Sequence, residues 1–284
     1  MSICRQCLLC ELFKLVFNPS CVVSRRVAMS TAGEDYLFSR QFRELSIRRR
    51  AGGLLVIQFQ RWQRRTVYEL MRALDAANAD EDISIVVLSG EFAVGPQGDC
   101  QQQPLALEQG KGREKRDEAE DRFIQHRAAD FVMRSLAKKL LGFRKLLVAF
   151  VQGPCQGLGV SICSLCDLVY ATETGHFLLS LSHLHPCVEE GPSWSLPQIE
   201  LLLRLGERAD ARCAWGSGFV ASLTADAQEF WTRMDQYSRL PTVSLLATKR
   251  LLLRPGRDTL LAQLRQEGTP LAAQRRRIAA SSKL

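Results

Sequence analysis

Three observations predict an α/β fold for this chain. Short apolar runs of strand length recur, the segments between them carry apolar residues at helical spacing, and glycine-rich turns separate the two. The first run is 54–59, Leu-Leu-Val-Ile-Gln-Phe, a buried-type strand. Val67, Leu70, Met71 and Leu74 follow on one helical face, and 83–88 reads as a second strand. From Gly95 to about Glu118 the sequence is polar and aperiodic, which predicts a long loop of the functional kind.

Val132, Leu136, Leu140 and Phe143 mark the next helix, which leads into a strand over 145–151. The run Gly153-Pro154-Cys155-Gln156-Gly157-Leu158-Gly159 predicts a turn feeding a short apolar helix over 160–165, and 167–171 resumes as a strand. Beyond Glu200 the pattern turns helical over 201–215, 226–240, 243–253 and 259–267, broken at Pro241, Pro255-Gly256 and Pro270. The expected organisation is a leader or disordered extension (1–28), an α/β core (29–200), a helical region (201–281) and a terminal tripeptide (282–284).

The 284 residues are enough for a substantial core, and no apolar run reaches the roughly 18 to 20 residues of a membrane span. The net charge of +8 is concentrated in Arg48-Arg49-Arg50, in Arg61 with Arg64-Arg65, and in Arg275-Arg276-Arg277. Such clusters suit a polyphosphate ligand or a solvated face; no nucleic-acid-binding signature accompanies them. Cys155, Cys163, Cys166 and Cys213 lie in apolar segments, where free cysteine behaves as a small hydrophobe, so a reducing compartment is expected for a chain with 10 cysteines. Cys4, Cys7 and Cys10 have a spacing seen in iron–sulfur ligation, but Cys21 lies too far on to complete the compact run.

Both ends read as addresses. Ser282-Lys283-Leu284 is the C-terminal peroxisomal import tripeptide, read by the import receptor, and the same signal serves glycosomes. Residues 1–28 hold Arg5, Lys14, Arg25 and Arg26 against Glu11, the composition of a weak organellar, alternatively mitochondrial, presequence; the other reading starts the protein at Met29.

The segment Val151-Gln152-Gly153-Pro154-Cys155-Gln156-Gly157-Leu158-Gly159-Val160-Ser161, ending in Leu165-Cys166-Asp167-Leu168-Val169-Tyr170-Ala171, resembles the signature of the crotonase (enoyl-CoA hydratase/isomerase) superfamily. Ser182-His183-Leu184, the pair Glu189-Glu190, Trp194 and Pro197 resemble its peroxisomal Δ3,Δ2-enoyl-CoA isomerase branch and the related chromodomain-Y-like branch. Phe230-Trp231-Thr232-Arg233, Leu240-Pro241 and Lys249-Arg250 continue the likeness, which spans about residues 45 to 255. The implied fold is a spiral of ββα units with a helical C-terminal trimerisation region.

The resemblance implies an oxyanion hole built from the backbone N–H groups of Gln97, just before Gly98, and Leu158, just after Gly157. Two fixed donors about 3 Å from a thioester enolate oxygen stabilise its charge without reorganising. At the positions where hydratases carry two glutamates this sequence has Ser161 and Leu181, which disfavours hydration. The isomerase base falls on Glu189 by an ungapped count, with Glu190 beside it; a carboxylate in an apolar pocket takes a proton from C2 and returns it to C4. His183 and His185 lack a third ligand for a metal site. Arg61, Arg64 and Arg65 fall where the family grips CoA, although Gln60-Arg61-Trp62 replaces the usual Asn-Arg-Pro and the segment is shortened; Lys249 is a further candidate.

The expected function is therefore Δ3,Δ2-enoyl-CoA isomerisation in β-oxidation of unsaturated fatty acids, by a homotrimer that needs no metal or redox cofactor because CoA is part of the substrate. The rivals are a non-catalytic acyl-CoA-binding protein of the same fold and another crotonase reaction such as thioester hydrolysis.

Overall fold

A computed structural model describes residues 42–93, 131–178 and 207–252, all within one compact unit, Asp35–Leu284. The described residues form two sheets. The larger has the order β1-β2-β3-β5-β7-β10, from Leu45–Arg50 (β1), Leu54–Phe59 (β2), Ile85–Gly90 (β3), Leu146–Val151 (β5), Leu168–Thr172 (β7) and Ser222–Thr224 (β10). Only β1 runs antiparallel to its neighbour. The smaller, β4-β6-β8-β9, comprises Phe92–Ala93, Pro154–Gln156, His176–Leu178 and Ala209–Asp210. Here β4, β6 and β8 are parallel and β9 antiparallel.

Alternation across β5 explains its unbroken apolar run. Leu146, Val148 and Phe150 face one core cluster with Phe230 and Met234 of helix α5 (Ala227–Tyr237), while Leu147, Ala149 and Val151 face the other. A strand buried on both faces has no polar side to alternate with, as parallel sheets require. The second face is covered by α1 (Arg64–Ala79) through Val67, Leu70, Ala73, Leu74 and Ala77, and by α2, whose described part is 131–141, through Leu136, Ala137 and Leu140. On the first face, Phe150 and Phe230 stack at 3.8 Å, a contact worth about 0.5–1.5 kcal/mol beyond the area it buries.

The expected strands at 54–59, 83–88, 145–151 and 167–171 are present within two residues at each end. The turn and short helix also stand, with the helix, α3, beginning earlier, at Leu158–Ser164. Strands continue beyond residue 200, however. Where 201–215 was expected to be helical, β9 precedes a short helix α4 (Ala211–Gly216), and β10 then joins the large sheet beside β7. Side-chain caps start both helices nearby: Asp210 accepts the Cys213 N–H at 2.7 Å, and Asp226 accepts that of Glu229 at 2.8 Å.

The small sheet grows out of the large one. Each of β3, β5 and β7 continues, after a break of one to three residues, into β4, β6 and β8 respectively. Three main-sheet strands thereby deliver three short parallel strands to one place. Among the described residues no helix is long and apolar enough to cross a membrane.

Candidate active site

The parallel register sets Ala93 beside Gln156 and Gln156 beside Leu178, so β4, β6 and β8 end abreast. Their carboxyl ends are the expected place for a ligand in such a sheet. Leu158 lies two residues past the end of β6. Gln97 and Gly98 lie four and five residues past β4, and Glu189 and Glu190 follow β8; these four fall outside the described residues.

The Leu158 turn is built by its two glycines. Gly157 has φ 54° and ψ −120°, a conformation that a side chain at Cβ would penalise. Gly159 presses so closely on β4 that a Cβ there would sit inside the Phe92 carbonyl oxygen. The Gly157 N–H donates to Leu178 O of β8 at 3.1 Å, and Gly157 O receives the N–H groups of Val160 and Ser161. The Leu158 N–H, at the first residue of α3, meets no acceptor among the described residues. A donor left over at a helix start, where the dipole adds positive potential, can take up a developing oxyanion. Ser161, one turn on, is buried and brings no carboxylate to this helix.

Beneath the turn, the thiols of Cys155 and Cys163 are buried 3.8 Å apart, and burial pushes the Cys163 thiol well up. The four cysteines among the described residues are free thiols, and three are buried or half-buried as expected. Cys213 is the exception: it lies exposed on α4, next to the charged Arg212.

Arg61 is exposed and lies just past β2, whose end pairs with that of β3. Its carbonyl accepts the Thr66 hydroxyl at 2.9 Å, and its guanidinium has no acidic partner among the described residues. Arg64 opens α1. Arg65 is engaged by Glu69 at 3.0 Å, and the buried Glu69 carboxylate also accepts the N–H groups of Arg43 and Glu44. In the Arg48–Arg50 cluster Arg48 and Arg50 are exposed and Arg49 half-buried, and carboxylates of the protein engage two of the three. Arg49 meets Asp80 and Asp82 at 3.5 and 3.3 Å, and Arg50 meets Asp235 at 3.0 Å while lying 4.8 Å over the Trp231 ring.

Lys249 departs from the expectation of a CoA contact or a solvated face. Its side chain is 5% exposed, and its ammonium donates to Asp167 Oδ2 and to Lys145 O, both at 2.6 Å. Those partners lie at the start of β5 and β7, the opposite end of the sheet from Leu158. Asp167 also accepts the Leu147 N–H at 2.7 Å. Burial pushes the Asp167 carboxyl above its ordinary value of 3.8, against the opposing pull of Lys249 and of that N–H. An aspartate inside an apolar motif signalled a need for a buried partner, but the partner lies 82 residues away, beyond any local pattern.

Sequence reasoning missed β1 and the entire small sheet, and with it the side-by-side ending of β4, β6 and β8. Trp62 was read only as a departure from the usual Asn-Arg-Pro, with no role of its own. It stacks on Phe59 at 4.6 Å and donates its Nε1–H to Glu91 O at 2.5 Å.

Comparison with known proteins agrees with this architecture. The chain is 33% identical over 152 residues to enoyl-CoA delta isomerase 2 of Rattus norvegicus, covering 50% of this chain and 39% of the relative. To the peroxisomal enoyl-CoA delta isomerase 3 of Mus musculus it is 30% identical over 139 residues, 45% of this chain and 44% of the relative. It thus spans less than half the length of either. An enoyl-CoA hydratase structure from Bacillus halodurans superposes with a TM-score of 0.66 at 19% identity, covering 82% of this chain and 95% of that one. No family model matches the sequence. The chain has the crotonase fold and, over about half of its length, is similar to proteins named enoyl-CoA delta isomerase.

Proposed function

We propose that this protein is a Δ3,Δ2-enoyl-CoA isomerase that moves a 3-cis or 3-trans double bond of a fatty acyl-CoA to the 2-trans position. The observation that carries the reading is the side-by-side ending of β4, β6 and β8, with the Leu158 N–H presented at that edge. In this reading Glu189 or Glu190, on the segment after β8, removes the C2 proton. The charge moves to the thioester oxygen, held by the Leu158 and Gln97 N–H groups, and the same carboxylate returns the proton at C4. Atoms balance without any other reactant, since one proton leaves and one arrives. Ser161 in place of a carboxylate supports isomerisation over hydration, and Arg61 is an exposed cation available to CoA phosphates.

The wider reading assigns the enzyme to β-oxidation of unsaturated fatty acids, as a homotrimer, in the peroxisome or a glycosome. Ser282-Lys283-Leu284 and the name of the mouse relative support the location. The test is conversion of 3-enoyl-CoA to 2-trans-enoyl-CoA by the purified protein beside Glu189→Gln and Glu190→Gln. Loss of kcat by about 10²–10⁴ in one variant alone identifies the base, the range that positioned proton transfer contributes. An inactive wild type that binds CoA would turn the assignment to a non-catalytic acyl-CoA-binding protein.

A further inference from the structure

We infer that Trp62 is a positioning residue that holds the Leu158 donor of the proposed oxyanion hole; the inference rests on the isomerase reading and deepens it. The indole is 7% exposed and lies between the Arg61 segment and the start of β4. Its ring lies on Phe59, which meets Phe92 edge-on at 5.3 Å, and its N–H grips Glu91 O. Glu91 is fixed twice more, its N–H donating to Phe59 O at 3.0 Å and its carboxylate accepting the Ala93 N–H at 2.8 Å.

Residues 91–93 are the platform on which the Leu158 turn rests. The Phe92 carbonyl is the surface against which Gly159 and the first turn of α3 pack. A shift of β4 by a fraction of an ångström therefore moves the Leu158 N–H. Hydrogen bonds that stabilise charge in a transition state depend steeply on such placement. Filling the space under Arg61 requires only an aromatic ring, and Phe59 and Phe92 supply neighbours for one. The hydrogen bond to Glu91 O requires the indole nitrogen.

Trp62→Phe keeps the ring and removes the donor. The expected result is a kcat lower by about tenfold with KM within about twofold, since the group lost acts on transition-state placement and not on substrate binding. Amide exchange of residues 91–93 and 157–160 should quicken while that of β5 stays unchanged, because local opening and global opening are separable. Trp62→Tyr serves the same comparison if the Phe variant does not fold. Wild-type kcat and wild-type exchange in the variant would overturn the inference, as would faster exchange spread evenly over both sheets. If the wild-type protein lacks isomerase activity, the isomerase reading fails, and the exchange pattern alone decides whether Trp62 positions this edge.

Discussion

At the Leu146 end of β5, Lys249, Asp167, the Leu147 N–H and the Lys145 carbonyl satisfy one another in a buried cluster. At the Val151 end the chain instead turns through Gly157 and presents the Leu158 N–H with no acceptor among the described residues. The two regions are separated by one strand, about 20 Å at 3.3 Å per residue. Each end explains the other: closed polar groups at one end lock the register of β5 and β7, and that register carries the open donor into place. A buried charge contributes to structure when paired, and a backbone donor contributes to chemistry when left for a ligand.

The contrast can be broken first at the closed end. Lys249→Met should destabilise the protein by about 3–5 kcal/mol, measured by denaturant unfolding, because Asp167 is left as a buried charge without its cation. Adding Asp167→Asn should recover part of that loss. The effect has a pH signature. Burial raises the folded Asp167 carboxyl above 3.8, so its contribution to stability is fully present below that pH and is lost as pH rises through the folded value. Removing Lys249 takes away an influence that holds the carboxyl down. The penalty of Lys249→Met should therefore be smaller near pH 4 than near pH 7, and a penalty independent of pH would contradict the pairing.

The open end should respond in rate more than in stability. Gly159→Ala places a methyl group against the Phe92 carbonyl, and steady-state assay should show kcat down by about 10²-fold, the scale of one lost oxyanion donor. Unfolding of the same variant should show a smaller change, about 1–3 kcal/mol. The weakest expected effect is at Arg61. Its replacement by Ala should raise KM several-fold with kcat unchanged, and the increase should fade as salt is added, because an exposed cation acts through a screened field.

How much was legible follows the same division. The central strands announced themselves because 54–59, 83–88 and 145–151 are apolar on both faces and long enough to read. The strands β4, β6 and β8 span two or three residues each, too short for any period to register, yet they end abreast at the candidate site. The glycines around Leu158 were legible as a turn, and their functional meaning came with the resemblance. β1 was hidden because Arg48, Arg49 and Arg50 mask its two inward residues, Leu45 and Ile47. The Lys249–Asp167 pair was illegible for a different reason: no local pattern encodes a contact between residues so far apart in the chain.

The position of β10 bears on how the protein is made. Ser222–Thr224 covers the outer edge of β7, a strand that ends at Thr172. During synthesis the ribosome must add about fifty residues between completing β7 and supplying the strand that shields it, which takes seconds at about 5–20 residues per second. Through that interval the nascent chain carries an open sheet edge, the form most prone to pairing with a neighbouring chain. Chain termination in that stretch would leave the edge permanently bare, so truncated products should accumulate as aggregates while full-length protein stays dispersed.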